Sequence, residues 1–420
     1  MRFNGNMLFC LLAVLFFMML PASAEKNYVI GDQKTPVVKG DPAATYVGAD
    51  KCATCHSPIY ATWSKSGHRY KLNTPAEIRA VRPDLPVLDG YTWDDILFVI
   101  GGWGWKARYI NEEGYIITTY RNGTPHTANQ YNFEDGSWSA YNSGKATKYD
   151  CAKCHTTGAY YGGGNYQDLP GMDGNWEFRG IQCEACHGPG SVHVSSGGGK
   201  GVAIVVDNSS ALCGKCHRRG AADEKIIAKG GFVDHHEQYH ELAASPMMNV
   251  MRCVDCHDPH KPVHVGATNT NEGFGIKKQC SECHTKEAAA FQTSKMSKAG
   301  VRCIDCHMAM TTKSAVNRTP YSGDVRSHLF RINTDVNAVF IYTDPKDKGT
   351  YANRYITVEY ACLPCHPNRD KAWAAQEAKD FHAKAAATAT GTATRTQPVP
   401  AFEALSAVAA LLVSMYARRR

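Results

Sequence analysis

One pattern repeats eight times and constrains every other interpretation of this chain. It is Cys-x-x-Cys-His, and its copies use sixteen of the 17 cysteines in the 420 residues. The remaining cysteine, Cys10, lies in an apolar stretch at the N-terminus. We number the copies sites 1 to 8 in chain order: Cys52/Cys55/His56, Cys151/Cys154/His155, Cys183/Cys186/His187, Cys213/Cys216/His217, Cys253/Cys256/His257, Cys280/Cys283/His284, Cys303/Cys306/His307 and Cys362/Cys365/His366.

A histidine directly after every cysteine pair separates this pattern from other cysteine chemistry. Zinc sites do not need it, thioredoxin-like pairs occur once, and secreted disulfide frameworks do not keep one spacing. In haem c, two cysteines form thioethers with the vinyl groups, and the next histidine becomes the proximal iron ligand. The sequence therefore predicts eight covalently bound haem c groups, each with its iron.

The second axial ligand decides between electron transfer and substrate binding. A second histidine closes the iron for electron transfer, whereas an open position can bind substrate. Ten of the 18 histidines lie outside the motifs. We leave out His126, which lies in the Gly/Pro-rich loop RNGTPHT, and predict as distal ligands His68, His193, His235, His236, His240, His260, His264, His328 and His382.

Two of these histidines close segments with helical character. His68 ends YATWSKSGH, which predicts a helix after site 1, and His382 ends NRDKAWAAQEAKDFH. If the second helix is continuous, it places His382 about 24 Å from His366, because a helix rises 1.5 Å per residue. We therefore expect His382 to serve another haem.

Other candidate ligands cluster before site 5. On a helix, His235 and His236 would point about 100° apart and serve different haems. His240 would share the face of His236. Met247 and Met248 precede site 5, where a thioether ligand would raise the haem potential. The alternative, a methionine packed on a porphyrin, stays open.

The spacing of the motifs predicts the architecture. We expect a multihaem cytochrome c fold, mostly short helices and loops wrapped around stacked haems. The 94 residues between sites 1 and 2 have no motif. There, alternating apolar residues around NEEG predict a β-hairpin and a small β-rich subdomain near residues 90–140 that covers the first haem. We divide the chain into 1–24, 25–150 with the first haem and the β-rich subdomain, 151–382 as the multihaem electron-transfer region, 383–400, 401–417 and 418–420.

The two ends predict export. Arg2, an apolar stretch and an Ala-x-Ala site ending at Ala24 are typical of a signal peptide over 1–24. At the other end, an Ala/Thr-rich stalk (383–400) precedes an apolar transmembrane or sorting segment (401–417). The basic tail 418–420 then places that end in the cytoplasm. We expect a cell-surface or extracellular protein with a C-terminal membrane anchor.

Several stretches resemble known families. GADKCATCHSPIYATWSKSGH resembles the opening of cytochrome c554-like multihaem domains. QCEACHGPGSVH, RCVDCHDPHKP and GVRCIDCHMAM resemble motifs of secreted multihaem cytochromes. The chain resembles archaeal octahaem cytochromes, a group that includes subunits of extracellular filaments. That resemblance implies stacked bis-histidine haems and subunits that meet so that the chain of haems continues.

The chain is also distantly similar to octahaem reductases of the tetrathionate reductase and hydroxylamine oxidoreductase kind. The tetrathionate type has a Cys-x-x-Cys-Lys active haem, whereas all eight motifs here end in His. Ser245-Pro246-Met247 stands where related sequences have Ser-Pro-His, which leaves one haem open in this reading.

Two functions follow as expectations. The first is an electron carrier that passes electrons to other redox proteins or extracellular acceptors, as an anchored monomer or by self-association into filaments. The second is an octahaem oxidoreductase acting on a small nitrogen or sulfur compound at one open haem. We name no catalytic residue. The net charge of +7 is spread without a long basic run, so we expect no nucleic-acid partner.

Overall fold

The structure, a computed structural model, describes residues 39–220, 225–263 and 275–385. The predicted signal peptide, the segment 401–417, the basic tail and most of the predicted stalk lie outside these residues, as does His264. Within the described part of the chain, no helix is both long and apolar enough to cross a membrane.

The helices of the described residues are short, and seven of the 13 contain residues of an attachment motif. The longest is the first, a 15-residue helix that contains site 1 and kinks at His56, two residues before Pro58. The helices are α1 Ala49–Trp63, α2 Pro75–Val81, α3 Ala152–His155, α4 Cys183–His187, α5 Ser191–Ser195, α6 Ser210–Gly214, α7 Gln238–Ala244, α8 Cys253–Cys256, α9 Thr285–Gln292, α10 Lys295–Lys298, α11 Cys303–His307, α12 Val358–Cys362 and α13 Lys371–Ala378. Turns of 3-10 helix cover Arg69–Lys71, Trp93–Asp95, Tyr166–Asp168, Pro246–Asn249 and Cys280–Glu282.

An antiparallel sheet fills the interval between sites 1 and 2. Its strands are β1 Leu72–Asn73, β2 Phe98–Gly101, β3 Lys106–Ile110, β4 Tyr115–Ile116, β5 Gln130–Asn132, β6 Trp138–Ser139 and β7 Thr147–Lys148. The order is β1-β2-β3-β4-β7, with β5 paired to β3 and β6 paired to β5. The predicted hairpin is present, because β3 and β4 pair through Ile110 and Ile116 around the Asn111–Gly114 turn.

This sheet is apolar on both faces. Val99 and Tyr109 pack with Ile78 and Leu88 on one side. Phe98 and Ile110 pack with Leu72, Ile116, Tyr149 and Trp176 on the other. Alternate residues of a strand point to opposite faces, so this region carries two small cores of ordinary side chains.

The remaining strands are short and join distant segments. β8 Thr156–Thr157 pairs with β9 Phe178–Arg179, and β13 Ile332–Asn333 pairs in parallel with β16 Ile356–Thr357. A second sheet has the order β12-β11-β10-β15-β14. Its strands are β10 Ile226–Lys229, β11 Phe232–Asp234, β12 Thr312–Lys313, β14 Ile341–Thr343 and β15 Thr350–Ala352.

Three helical expectations need correction. α1 ends at Trp63, so His68 lies beyond the helix, next to a 3-10 turn. The run to His382 is not continuous, because α13 ends at Ala378 and Asp380 takes a left-handed φ of 57°. Residues 381–385 are helical again.

The third helical expectation concerns His235 and His236. α7 begins only at Gln238, and His236 has a φ of 70°. Helical spacing therefore does not relate His235, His236 and His240.

Candidate haem sites

Each attachment motif closes about one turn of helix. Residues three and four apart share a helix face, so the two cysteines and the histidine point to one side. The histidine amide donates to the carbonyl of the first cysteine at 2.9 Å in sites 4, 5 and 6, and at 3.1 Å in site 8. The motif therefore builds its own local scaffold.

In sites 5 to 7 an acidic residue before the second cysteine caps this turn. Asp255 accepts the amide of Arg252 at 2.8 Å, and Asp305 accepts the amide of Arg302 at 2.9 Å. Glu282 does the same in site 6. This role was not predicted, although the repeated Cys-x-[Asp/Glu]-Cys spacing is a sequence signal for it and resembles a capping box.

The cysteines are available for attachment. All sixteen motif cysteines are free thiols, and eleven of them are half-buried. Within residues 39–220, 225–263 and 275–385, no three or more His, Cys, Asp or Glu side chains converge on a common metal position.

Five of the predicted attachment cysteines have exposed side chains. The protein leaves their side chains exposed, and they are Cys55, Cys186, Cys280, Cys283 and Cys365. Four of the five are the second cysteine of a motif, as Cys55 is in site 1 and Cys365 in site 8. A sulfur that bonds to a porphyrin edge must lie on the open side of its turn, because side chains packed over it would block the thioether. That these residues hold haem stays a prediction.

Five motif histidines face a second imidazole at a nearly constant distance. The ring centroids are 5.9 to 6.4 Å apart. Two imidazole nitrogens each about 2 Å from one metal ion leave the ring centroids about 6 Å apart. The residues therefore fit an iron held between two imidazoles. The pairs are His56–His193 (site 1), His187–His260 (site 3), His217–His68 (site 4), His257–His328 (site 5) and His307–His382 (site 7).

The hydrogen bonds of the rings agree with this fit. Nδ1 of His187 lies 2.8 Å from the carbonyl of Val205, and Nδ1 of His307 lies 2.8 Å from the carbonyl of Phe330. A carbonyl only accepts, so Nδ1 carries the proton and Nε2 has the free lone pair that a metal needs. His155 makes the same bond.

Burial keeps several of these rings neutral. Mainly through desolvation, the pKa of His68 is lowered to about 3 and that of His217 to about 4. The pKa of His155 is also lowered to about 3, first by burial and then by Lys71. Neutral imidazole is the form that binds metals.

Site 4 has two neighbouring imidazoles. His68 lies 6.3 Å from His217, and His236 lies 5.8 Å from it, both with rings nearly perpendicular to His217. His236 also contacts His235 at 4.8 Å. The structure therefore places two predicted ligands near one motif histidine.

His240 belongs to a buried polar network. Its Nδ1 lies 2.5 Å from Oε2 of Glu237, which is fully buried. Burial raises the pKa of this carboxyl group. Glu241, one turn along α7, accepts from the Thr312 hydroxyl at 3.1 Å and the His328 amide at 3.0 Å. The network ties α7 to the segment that supplies the second imidazole of site 5.

The methionines before site 5 lie in an apolar cluster. Met247 and Met248 pack with Tyr239 and Leu242 beside Cys253. The imidazole that faces the site 5 histidine is that of His328, at 6.1 Å.

His126 differs from the ligand candidates. Nε2 of its buried ring lies 3.1 Å from the Asp89 carbonyl, while Nδ1 accepts the Ala128 amide at 3.2 Å. The ring also stacks on Tyr120 at 4.0 Å. Both ring nitrogens of His126 therefore have backbone hydrogen-bond partners.

Site 2 has a different environment. In the described part of the chain, His155 has no second imidazole at the separation seen in the five pairs. Its electrostatic neighbours are Lys71, Lys106 and two predicted ligands, His235 and His236. Desolvation lowers the pKa of Lys106 to about 7. Sequence reasoning missed both lysines, because each lies far from the motif along the chain.

Sites 6 and 8 also lack such a pair among the described residues. Cys280, Cys283 and His284 of site 6 are exposed. In site 8, the His366 ring contacts Trp373 at 4.9 Å. The predicted ligand His264 lies outside the described residues.

Comparisons with known proteins agree with this chemistry. Residues 119–188 match the family described as cytochrome c554 and c-prime. The dissimilatory sulfite reductase MccA of Wolinella succinogenes is 22% identical over 80% of this chain and 63% of its own length. The multiheme cytochrome MtrA of Shewanella baltica is 28% identical over 34% of this chain and 42% of its own length. The chain therefore spans less than two thirds of either relative.

A solved structure shares the fold. The octaheme sulfite reductase MccA from Wolinella succinogenes superposes with a TM-score of 0.55 at 18% identity, covering 80% of this chain and 67% of that one. At this identity the likeness concerns the fold alone. With attachment turns that recur along its whole length and multihaem proteins as its relatives, the chain is a multihaem c-type cytochrome.

Proposed function

We propose that the chain is an octahaem electron carrier that conducts electrons at or outside the cell surface. The observation that carries this proposal is the set of five imidazole pairs with centroids 5.9 to 6.4 Å apart. An iron between two imidazoles has no position for substrate and cycles between oxidation states. A chain of such irons serves electron transfer.

The count of eight haems rests on the motifs. Each of the eight cysteine pairs would hold one porphyrin through two thioethers, and the adjacent histidine would supply the proximal nitrogen. When bound, the groups supply one-electron redox chemistry. The protein's part is to fix the imidazole tautomers through carbonyls such as those of Val205 and Phe330.

The site of action is inferred from the ends of the sequence. A signal peptide over 1–24 and an anchor over 401–417 would place the body outside the membrane. Its partners there would be other redox proteins, extracellular electron acceptors or further copies of the chain in a filament.

Low-temperature EPR of the oxidised holoprotein, with haem quantified in parallel, tests the proposal. We expect eight haems per chain, all low-spin. A high-spin haem that shifts when nitrite, hydroxylamine or sulfite is added would contradict the carrier as the main function. Fewer than eight haems would contradict the count.

A second function has one specific observation in its favour. At site 2 the buried side chains of Lys71 and Lys106 interact electrostatically with His155, and among the described residues no imidazole lies at the separation of the five pairs. Lysines drawn out of water bind a small anion more strongly than exposed ones do. Site 2 could then host a reductase or oxidase of an anionic nitrogen or sulfur compound, with Lys71 and Lys106 binding and orienting the anion.

Anion-dependent spectra separate the two functions. If site 2 is the reacting haem, sulfite or nitrite changes one high-spin signal, and Lys106→Gln weakens that response. Lys148→Gln, an exposed lysine of the same sheet, is the matched control. An unchanged low-spin spectrum at saturating anion would exclude this function.

A further inference from the structure

The residues around site 6 form the longest exposed stretch in the described part of the chain. Every residue from Lys277 to Glu287 is exposed, and this stretch includes the whole of the site 6 motif. Each of the other seven motifs has at least two residues that are half-buried or buried. Site 6 is therefore the attachment motif that the protein surrounds least.

Lysines dominate the charge of this surface. Between residues 276 and 298 there are five lysines and two carboxylates, and all seven of these residues are exposed. One of the carboxylates, that of Glu282, forms an ion pair with Lys278 at 2.7 Å. We call the five lysines the site 6 lysine face, and they are Lys277, Lys278, Lys286, Lys295 and Lys298.

The residues around site 8 have no such excess of positive charge. Residues 359–380, which flank site 8, contain three lysine or arginine residues and four carboxylates. One of the lysines, Lys371, forms an ion pair with Glu359 at 2.6 Å. A partner attracted by positive charge would therefore approach site 6 rather than site 8.

The fold holds the lysine face in place. The amide of Lys277 donates to the carbonyl of Cys256 at 2.8 Å. The Thr293 hydroxyl, just after α9, donates to the carbonyl of Ala385 at 3.3 Å. The ring of Phe291 in α9 lies 6.4 Å from that of Phe381. α9 thus packs against residues 381–385 while its lysine stays exposed.

The extent of the face favours a protein over a small anion. Its lysines come from three segments, which are the loop before site 6, α9 and α10. α9 alone is about 12 Å long, because a helix rises 1.5 Å per residue. A small anion contacts one or two of these lysines, whereas a carboxylate-rich protein surface can face all of them. Charge complementarity of this kind steers a partner and fixes its orientation.

We propose that the site 6 lysine face is the docking surface for an acidic redox protein, which exchanges electrons with this chain at site 6. The inference rests on the proposed electron-carrier function and names the class of partner which that function would use. In each exchange one electron passes between the redox centre of the partner and the haem iron. One centre is oxidised as the other is reduced, and no covalent bond forms.

Binding of a plant-type [2Fe–2S] ferredoxin, a small acidic redox protein, to the oxidised holoprotein tests the proposal. With both proteins oxidised no electron moves, so calorimetry measures docking alone. Lys277→Glu with Lys286→Glu places like charges opposite the ferredoxin carboxylates, and we expect the affinity at low salt to fall roughly tenfold or more. In 1 M salt, where the Debye length is about 3 Å, the variant and the unmodified protein should bind equally weakly.

The matched control is Lys145→Glu with Lys148→Glu. Both lysines are exposed, at β7 and in the turn before it, and the double substitution changes the net charge by the same amount. We expect this control to bind ferredoxin as the unmodified protein does. An equal fall in the two variants would overturn the docking surface, since binding would then follow net charge alone. Unchanged affinity in Lys277→Glu with Lys286→Glu would overturn it as well.

Carbodiimide cross-linking of the same two oxidised proteins locates the contact. The reagent joins a carboxylate to a lysine amine as an amide, and mass spectrometry identifies the linked peptides. We expect ferredoxin to be linked to lysines of the site 6 lysine face. Links confined to other lysines would overturn the proposal.

Two other occupants of the face give different results. Vesicles of phosphatidylserine and phosphatidylcholine that lose affinity for the variant, with ferredoxin binding unchanged, would assign the face to a membrane surface. Self-association that is lost in the variant, with ferredoxin binding unchanged, would assign it to a second copy of the chain. Either result would overturn the acidic redox protein as the partner.

The outcome is separable from that of the proposed function. If EPR found an open haem but the charge reversal weakened ferredoxin binding, the carrier proposal would fail and the docking surface would stand. If all haems were low-spin but the charge reversal had no effect, the carrier would stand and the docking surface would fail.

Discussion

Sites 2 and 3 are neighbours in sequence and opposites in environment. At site 3, the rings of His187 and His260 are nearly parallel, 6.0 Å apart with an interplanar angle of 4°. At site 2, His155 has the same carbonyl bond at Nδ1, but its neighbours are Lys71, Lys106 and His235, and the described residues place no ring at the spacing of the five pairs. An identical attachment motif thus serves two different environments, and the motif alone does not set the haem's role.

The largest effect should come from opening site 3. His260→Gly removes the second imidazole, so we expect one haem per chain to change from low-spin to high-spin with the haem content unchanged. EPR with haem quantification measures both. His126→Gly is the control, since both of its ring nitrogens bond within the protein. Full retention of the low-spin signal in His260→Gly would show that another group ligates site 3.

The next effect concerns electron flow. His68→Met at site 4 should raise the potential of that haem, because methionine replaces histidine, and reduce the current through a protein monolayer. Potentiometric titration and monolayer conductivity measure the two quantities. An unchanged potential together with an unchanged current would show that His68 does not ligate site 4.

A smaller effect tests the charge at site 2. Lys106→Gln should weaken sulfite or nitrite binding about tenfold to a hundredfold, since a hydrogen bond to a charged group contributes about 1.5–3 kcal/mol. Spectral titration of the holoprotein measures the affinity. Lys148→Gln should leave it unchanged. If the unmodified protein, Lys106→Gln and Lys148→Gln all bind the anion equally weakly, then site 2 does not differ from site 3 in anion binding.

The smallest effect is local. Asp305→Ala removes the cap of the site 7 turn and its contacts with Arg302 and Arg326. We expect a loss of about 1 kcal/mol in the free energy of unfolding, the usual cost of losing a helix cap. Denaturant titration of the holoprotein measures it, with the exposed Asp94→Ala as control. A cost equal to that of the control would mean that the haem alone holds the turn.

The sequence predicted what is local and missed what is distant. The attachment turns follow from spacing within five residues, and the β3–β4 hairpin follows from NEEG. The partners of the five paired motif histidines do not follow from spacing, because segments far along the chain supply them, as His193 does for His56. Lys71 and Lys106 were not predicted near site 2, because they too lie far from its motif in the sequence. The helical spacing considered for His235 and His236 does not apply, because His236 adopts a left-handed backbone.

The crossed imidazole pairs have a consequence for folding. His193 follows site 3 yet faces site 1, and His68 follows site 1 yet faces site 4. On the proposed ligation, each iron closes a long loop, much as a disulfide does, and lowers the entropy of the unfolded chain. Thioether attachment needs only a local turn and can occur early. The second axial bond can form only after the distant segment that supplies the second imidazole has reached the site. The native structure is therefore completed late, by a set of iron cross-links.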